Sequence, residues 1–258
     1  MLSNVDSKKL IIIANWKMNP IHYNQATELF DLYIKKININ KINLIISPPV
    51  IYLKLLNKLI IKNNINISLS AQNICWEEDG AFTGEVSANM VKTLGCRYTI
   101  IGHSERRKYN KETDLLISKK FLLALKTKLI PIVCIGETKT QFDKGEFEIK
   151  RTLDKQLNFI LKHAIKESTN LGFLIAYEPV WAIGTGISAD LQYINKICGY
   201  IRKKINHLIA VRQNVKILYG GSVNPSNAKS IFELPNVDGA LVGGASLDVS
   251  KFSAILDL

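Results

Sequence analysis

FLIAYEPVWAIGTG, residues Phe173–Gly186, decides how this chain is read. Its first residues, Phe173 to Tyr177, form an unbroken apolar run, the pattern of a strand buried on both faces. A carboxylate, Glu178, then stands where strand gives way to loop. The loop begins rigidly at Pro179, continues through the bulky apolar Val180, Trp181 and Ile183, and ends in the flexible Gly184 and Gly186. A solvated turn has no use for Val, Trp and Ile together. A base at the mouth of a strand, beneath an apolar flap, is suited to taking a proton away from water.

Working outward, seven further runs repeat the pattern: Leu10–Ala14, Leu44–Ile46, Ile67–Ala71, Tyr98–Ile101, Ile130–Ile135, Lys216–Tyr219 and Gly239–Val242. Most are near-continuous in apolar character, as parallel strands covered on both faces are. Helical periodicity fills the gaps. Tyr52 to Ile61 spaces Leu53, Leu56, Leu59 and Ile60 along one face, and Leu153 to Ile165 does the same with Leu157, Ile160 and Leu161. Strand and helix alternating eight times predict an α/β fold, a closed (β/α)8 barrel formed by residues 1–258 as a single domain. A doubly wound open sheet would offer a Gly-rich turn after its first strand, where this chain reads NWKMN. No linker or low-complexity segment interrupts the pattern. The longest loop, Gln72–Glu85, carries Trp76, Phe82 and the acidic Glu77, Glu78 and Asp79, so a functional or interface role is expected of it.

Composition narrows the class. With 47% hydrophobic and 22% charged residues, the 258-residue chain suits a soluble globular protein. No apolar run approaches the ~20 residues that span a bilayer. The N-terminus, MLSNVDSKKL, lacks a secretory signal pattern, so a cytoplasmic location is expected. Cys75, Cys96, Cys134 and Cys198 are scattered, pointing to neither zinc nor a disulfide framework, and Cys134 reads as packed in a strand. The net charge of +12 fits either a field that draws anions or compositional drift in a chain rich in Lys, Asn and Ile. The lysines read as dispersed over helices and loops, which favours drift. No nucleic-acid signature accompanies them, so neither a specific nucleic acid nor a membrane is expected as a partner.

In such barrels the reactive groups stand at the C-terminal strand ends. The first strand leads into Asn15-Trp16-Lys17, where a lysine brings positive charge to the mouth. The fourth leads into Gly102-His103-Ser104-Glu105, with a helix expected from Glu112 to Lys128 after a short polar link. A helix N-terminus favours the neutral imidazole, which donates a hydrogen bond to a carbonyl or enediolate oxygen. His22, His163 and His207 lie in polar helical surroundings and read as structural or solvated. The seventh and eighth strands end in Gly220-Gly221-Ser222 and Gly243-Gly244. Paired glycines before helical segments let backbone N–H groups approach a phosphate. Together these parts describe an aldose–ketose isomerisation. Ser222, Gly243 and Gly244 hold the phosphate, Lys17 and His103 polarise a carbonyl, and Glu178 moves the proton through an enediolate. The scheme needs no metal or cofactor.

NWKMN (Asn15–Asn19), AQN (Ala71–Asn73), GAFTGE (Gly80–Glu85), IIGHSERR (Ile100–Arg107), CIGE (Cys134–Glu137), YEPVWAIGTG (Tyr177–Gly186), YGGSV (Tyr219–Val223) and VGGASL (Val242–Leu247) resemble triosephosphate isomerases, in order along the whole chain. The resemblance implies a TIM barrel that interconverts D-glyceraldehyde 3-phosphate and dihydroxyacetone phosphate in glycolysis and gluconeogenesis. By similarity, Asn15, Trp16 and Lys17 line the substrate site, His103 is the electrophile and Glu178 the base. Glu105 helps arrange Lys17 or shuttles a proton, and Gly184, Ser222, Gly243 and Gly244 bind the phosphate. A homodimer is implied in which loop Gln72–Glu85 inserts into the partner and Thr83 reaches its active site. The chain departs from the family at Ile187, where a lysine is usual, at the far hinge of the loop. Two other readings stay open: a barrel lyase or aldolase using Lys17 as a Schiff base, and a catalytically silent basic barrel with a binding role.

Overall fold

The computed structural model describes residues 9–167, 172–183, 188–208 and 215–257, without the side chains of 163–167 and 208. The strands are β1 (Ile11–Asn15), β2 (Asn43–Ser47), β3 (Ser68–Ala71), β4 (Cys96–Ile101), β5 (Ile130–Ile135), β6 (Leu174–Tyr177), β7 (Lys216–Tyr219) and β8 (Gly239–Val242). The helices are α1 (Tyr23–Lys36), α2 (Leu53–Lys62), α3 (Ala88–Thr93), α4 (Ser104–Tyr109) and α5 (Asp114–Lys126). They continue with α6 (Lys139–Phe142), α7 (Glu146–Glu167), α8 (Leu191–Leu208), α9 (Ala228–Phe232) and α10 (Val249–Leu256). The strands pair in parallel in sequence order, and β1 closes the barrel against β8 with Ile12 opposite Ala240 and Ile13 opposite Leu241.

Each strand is apolar on both sides because each side has its own core. Ile11, Ile13, Ile45, Tyr98, Ile100, Ile130, Ile132, Cys134, Leu174, Ala176, Leu218 and Leu241 fill the lumen as one cluster. The alternate residues, among them Ile12, Ala14, Ile101, Ile135, Ile175, Tyr177 and Tyr219, join a second cluster under the helices. Burial of each such side chain contributes about 1.5–3 kcal/mol before the entropy of ordering it is set against it.

This period of two fixes what arrives at the mouth. Ile11 and Ile13 point inward, so Asn15 does too; Leu174 and Ala176 point inward, so Glu178 follows. Trp16 has the parity of Ile12 and Ala14, and is fully buried with them on the helix side. Its Nε1–H donates to the Tyr33 hydroxyl at 3.2 Å. The expectation that Trp16 lines the substrate site is therefore corrected: its side chain is a wedge between barrel and helices.

Two local expectations also change. The polar link after His103 is itself a helix, α4, and His103 is its N-cap. The next helix begins at Asp114, because Thr113 caps it by accepting from the Leu116 N–H at 3.3 Å. The lysines are less dispersed than they read: Lys54, Lys58 and Lys62 share one exposed face of α2 at helical spacing, opposite the buried Leu53 and Leu56. No helix among the described residues is long and apolar enough to cross a membrane.

Candidate active site

Asn15, Lys17, His103, Glu178, Gly220, Gly221, Ser222, Gly243 and Gly244 line one cavity of about 210 Å³ at the C-terminal mouth, with Ile183 at its edge. Five strands contribute, so residues far apart in sequence converge because their strands end on one rim. A second cavity of about 610 Å³ adjoins it and shares Asn15, Lys17 and His103, adding Met18, Gln72, Glu105 and Tyr109.

Glu178 is only 2% exposed. Its Oε2 accepts the Ser104 N–H at 2.9 Å, at the first turn of α4. Its Oε1 lies 3.3 Å from His103 Nε2 yet has no hydrogen-bond partner among the described residues. One oxygen is thus anchored by a backbone donor and the other is left unengaged. The room for this carboxylate comes from glycines at the same level of the neighbouring strands. A Cβ at Gly220 would stand 2.8 Å from Glu178 Cγ, and one at Gly136 would run into the Glu178 carbonyl. Beneath lies the Cys134 thiol, its pKa driven well up by burial and then by the Glu178 charge; it is packed and inert.

His103 follows Gly102, whose φ of +71° breaks the strand and lets the imidazole turn inward. Its Nδ1 accepts the Glu105 N–H at 3.3 Å. An accepting Nδ1 carries no proton, so Nε2 is the donor nitrogen, and it faces Glu178 and the cavity.

Lys17 has φ +52°, a left-handed conformation that is unfavourable for a residue with a side chain. It is held there from two directions. Its N–H donates to Asn15 Oδ1 at 3.0 Å, and its carbonyl accepts from Gln72 Nε2 at 2.8 Å. The same Gln72 amide donates to the Ser47 carbonyl at 2.8 Å, which ties β2 to the strained turn. Lys17 Nζ pairs with Glu105 Oε1. Asn15, Lys17, His103 and Glu105 thus form one hydrogen-bonded rim facing Glu178.

On the opposite rim, Gly243 leads into a 3-10 turn over Gly244–Leu247, and Ser222 leads into the turn before α9. The first N–H groups of a 3-10 turn have no acceptor within it, so those at Gly244 and Ala245 suit an anion. Among the described residues no three His, Cys, Asp or Glu side chains stand together as metal ligands would.

Over residues 10–258 the chain matches the family model described as triosephosphate isomerase. The chain belongs to the triosephosphate isomerase family. It is 44% identical over 250 residues to the triosephosphate isomerase of Baumannia cicadellinicola subsp. Homalodisca coagulata, covering 95% of both chains. It is 41% identical over 252 residues to that of Clostridium tetani, covering 97% of this chain and 96% of the relative. With that of Vibrio vulnificus the identity is 41% over 249 residues, covering 96% of each. The chain is accordingly an isomerase, and the closed barrel is the expected one.

Gly184, expected among the phosphate ligands, and Ile187, where the chain departs from the family, lie outside the described residues. The described part of their loop has Trp181 packed on Phe142, ring centroids 4.3 Å apart, and on Tyr193. His22 and His207 are exposed, away from the cavity.

Residue-by-residue reading missed three supports. Gln72 stands in the AQN motif and opens the long loop, and neither setting announces its bonds to the Lys17 and Ser47 carbonyls. Glu137, fully buried at the end of β5, accepts from Trp181 Nε1 at 2.7 Å, Tyr193 Oη at 2.9 Å and Tyr177 Oη at 3.0 Å. Burial raises its pKa against the opposing pull of these donors. Glu112 accepts from Lys120 and Arg106, each at 2.6 Å, and Lys120 also reaches Asn73 at 2.7 Å. Burial works to raise the Glu112 pKa, but the two cations outweigh it and hold the carboxyl below its usual range. Trp76, beside Lys120, marks where loop Gln72–Glu85 joins this network.

Proposed function

We propose that this chain interconverts D-glyceraldehyde 3-phosphate and dihydroxyacetone phosphate with Glu178 as the base. The observation that carries the assignment is the pair of Glu178 oxygens: Oε2 anchored by Ser104, Oε1 buried and unpaired beside a donor imidazole. The phosphate rests on the turns carrying Ser222, Gly243 and Gly244, with Gly184 added from the loop. The carbonyl then faces His103 Nε2–H and Lys17 Nζ, whose position Asn15 and Glu105 maintain. Oε1 removes a proton from the carbon next to the carbonyl, and the electrons move onto the carbonyl oxygen. His103 and Lys17 stabilise that oxyanion, and Glu178 returns the proton to the neighbouring carbon. Net, one proton moves between adjacent carbons and one between their oxygens, so neither an electron acceptor nor a cofactor takes part. A Schiff base on Lys17 is disfavoured because its Nζ is already engaged by the Glu105 carboxylate.

A homodimer completes this proposal. Met18, Ile21, Val50, Ile51, Phe82 and Tyr109 are exposed although large and apolar. Met18, Val50 and Tyr109 border the larger cavity, which a loop tip from a second copy fits. Loop Gln72–Glu85 offers such a tip: Ile74 and Cys75 are buried at its base, Trp76 packs edge-on to Phe82, and Ala81 to Gly84 stand exposed. Thr83 at its end would meet the partner's Lys17 rim. A glycolytic role in the cytoplasm follows from the reaction proposed.

The test is a coupled assay with D-glyceraldehyde 3-phosphate on wild type and Glu178→Gln. The expected result is fast conversion by wild type and a fall of about 10⁴-fold in the folded mutant, the upper end for a general acid–base group. A mutant that keeps most of the rate removes Glu178 from this role.

A further inference from the structure

We propose that Asn227 is a positioning residue for the phosphate-binding turn, clamping the Ser222 backbone to Ser188 on the far side of the β6–α8 connection. Asn227 occupies the N-cap position of α9, where an asparagine ordinarily accepts an N–H from the helix's first turn. Here its side chain makes no such bond. The amide turns backward instead. Its Oδ1 accepts the Asn224 N–H at 2.8 Å, and its Nδ2 donates to the Ser222 carbonyl at 3.1 Å and to Ser188 Oγ at 3.2 Å. Ser188 Oγ in turn donates to the Ala189 carbonyl at 3.3 Å, so its proton is committed there and its lone pair is what Asn227 engages. Asn224 Oδ1 closes the turn from inside by accepting from the Ser226 and Asn227 N–H groups.

Every polar atom of the Asn227 amide therefore serves the turn that presents Ser222, and none serves the helix it begins. The donation to the Ser222 carbonyl fixes the peptide plane on which the hydroxyl of Ser222 hangs. The bond to Ser188 sets that plane relative to the chain re-entering α8. A phosphate gripped between Ser222 and the Gly243–Gly244 turn requires this spacing to hold before the ligand arrives. Asn227 is half-buried and touches none of the reacting atoms, so its effect belongs to binding rather than to proton transfer.

The inference rests on Ser222 being a phosphate ligand, so Ser222→Ala is measured beside the test variants. Inorganic phosphate is the probe, as a competitive inhibitor, together with KM and kcat for D-glyceraldehyde 3-phosphate. Asn227→Ala is expected to raise both the phosphate inhibition constant and KM by about 5- to 10-fold, with kcat within about 3-fold of wild type. Ser188→Ala, which removes the clamp from its other end, raises both by about 2- to 3-fold. The double variant is no weaker than Asn227→Ala alone, because one interaction has been removed twice. If Ser222→Ala leaves phosphate inhibition unchanged, the phosphate site itself is misplaced. If Ser222→Ala weakens phosphate while Asn227→Ala and Ser188→Ala do not, the clamp is overturned. A fall in kcat at constant KM, or full additivity of the two variants, overturns it as well. Should Asn227→Ala fail to fold, Ser188→Ala and its phosphate inhibition constant decide alone.

Discussion

Adjacent strands β5 and β6 each deliver a buried glutamate at or just beyond their C-terminal ends, and the two have opposite fates. Glu137 is surrounded by donors from Trp181, Tyr177 and Tyr193. Glu178, which lines the cavity, has one donor on Oε2 and none on the buried Oε1 among the described residues. Burial is nearly equal, at 0% and 2%. What separates these two carboxylates is therefore not depth but satisfaction, and Glu112, whose Oε2 is also unpaired, differs from Glu178 in not lining the cavity. Three donors tie the Glu137 carboxylate into an aromatic cluster, while one oxygen of Glu178 is left without a partner among the described residues. Leaving a buried oxygen unpaired costs about 1–3 kcal/mol, and such orphaned groups concentrate where function requires them.

The contrast is broken most severely by Glu178→Gln, for which the assay above sets the largest loss. Gly220→Ala comes next. Its methyl would stand 2.8 Å from Glu178 Cγ and push the carboxylate aside without removing it. A displacement near 1 Å lowers kcat by about 100-fold, and steady-state kinetics on the folded variant measures it; an unchanged kcat would mean that the position of Glu178 is not critical.

Glu137→Leu sharpens the comparison from the other side. It strips the acceptor from Trp181 Nε1 and two tyrosine hydroxyls, so urea unfolding should show a loss of about 2–4 kcal/mol. The fall in kcat should remain far smaller than that of Glu178→Gln. Equal kinetic losses would erase the distinction between the two sites.

The smallest effect is in the pH dependence of stability. Glu112 has its folded-state pKa depressed, so it stabilises the fold above the ordinary carboxylate range, and that contribution is lost as pH falls through the folded value. Glu112→Gln should thus lower the melting temperature at neutral pH by a few degrees and flatten the acid limb. A variant whose acid limb stays as steep as the wild type's would show that Glu112 does not carry this titration.

Much of this was legible in the sequence because a period of two and a strand-end rule were enough. The eight strands appear within a residue or two of the apolar runs, and Asn15, Lys17, His103, Glu178 and the glycine pairs arrive where the strand ends put them. Trp16 was misjudged because proximity to Lys17 in sequence hides its parity; counting back to Ile12 and Ala14 would have placed it under the helices. Helix α4 was invisible for another reason. SERRKY has no apolar periodicity, and its cap is a histidine rather than Ser, Thr, Asp or Asn. Glu112 and Lys120 look like ordinary surface charges until folding buries them against Asn73. Gln72 acts on a backbone carbonyl 55 residues away and Asn227 on a side-chain hydroxyl 39 residues away, through contacts that no local pattern announces.

The central claim is that Glu178 carries a proton between neighbouring carbons. It is tested most directly by running the isomerisation in D2O and reading deuterium in the product by proton NMR, for wild type and Glu178→Gln in parallel. The account predicts that wild type places on the carbon next to the carbonyl either the substrate's own proton, returned by Glu178, or deuterium where the proton on Glu178 exchanges first, and that the mutant loses both turnover and exchange. Turnover or exchange that persists at the wild-type rate after Glu178→Gln would contradict it.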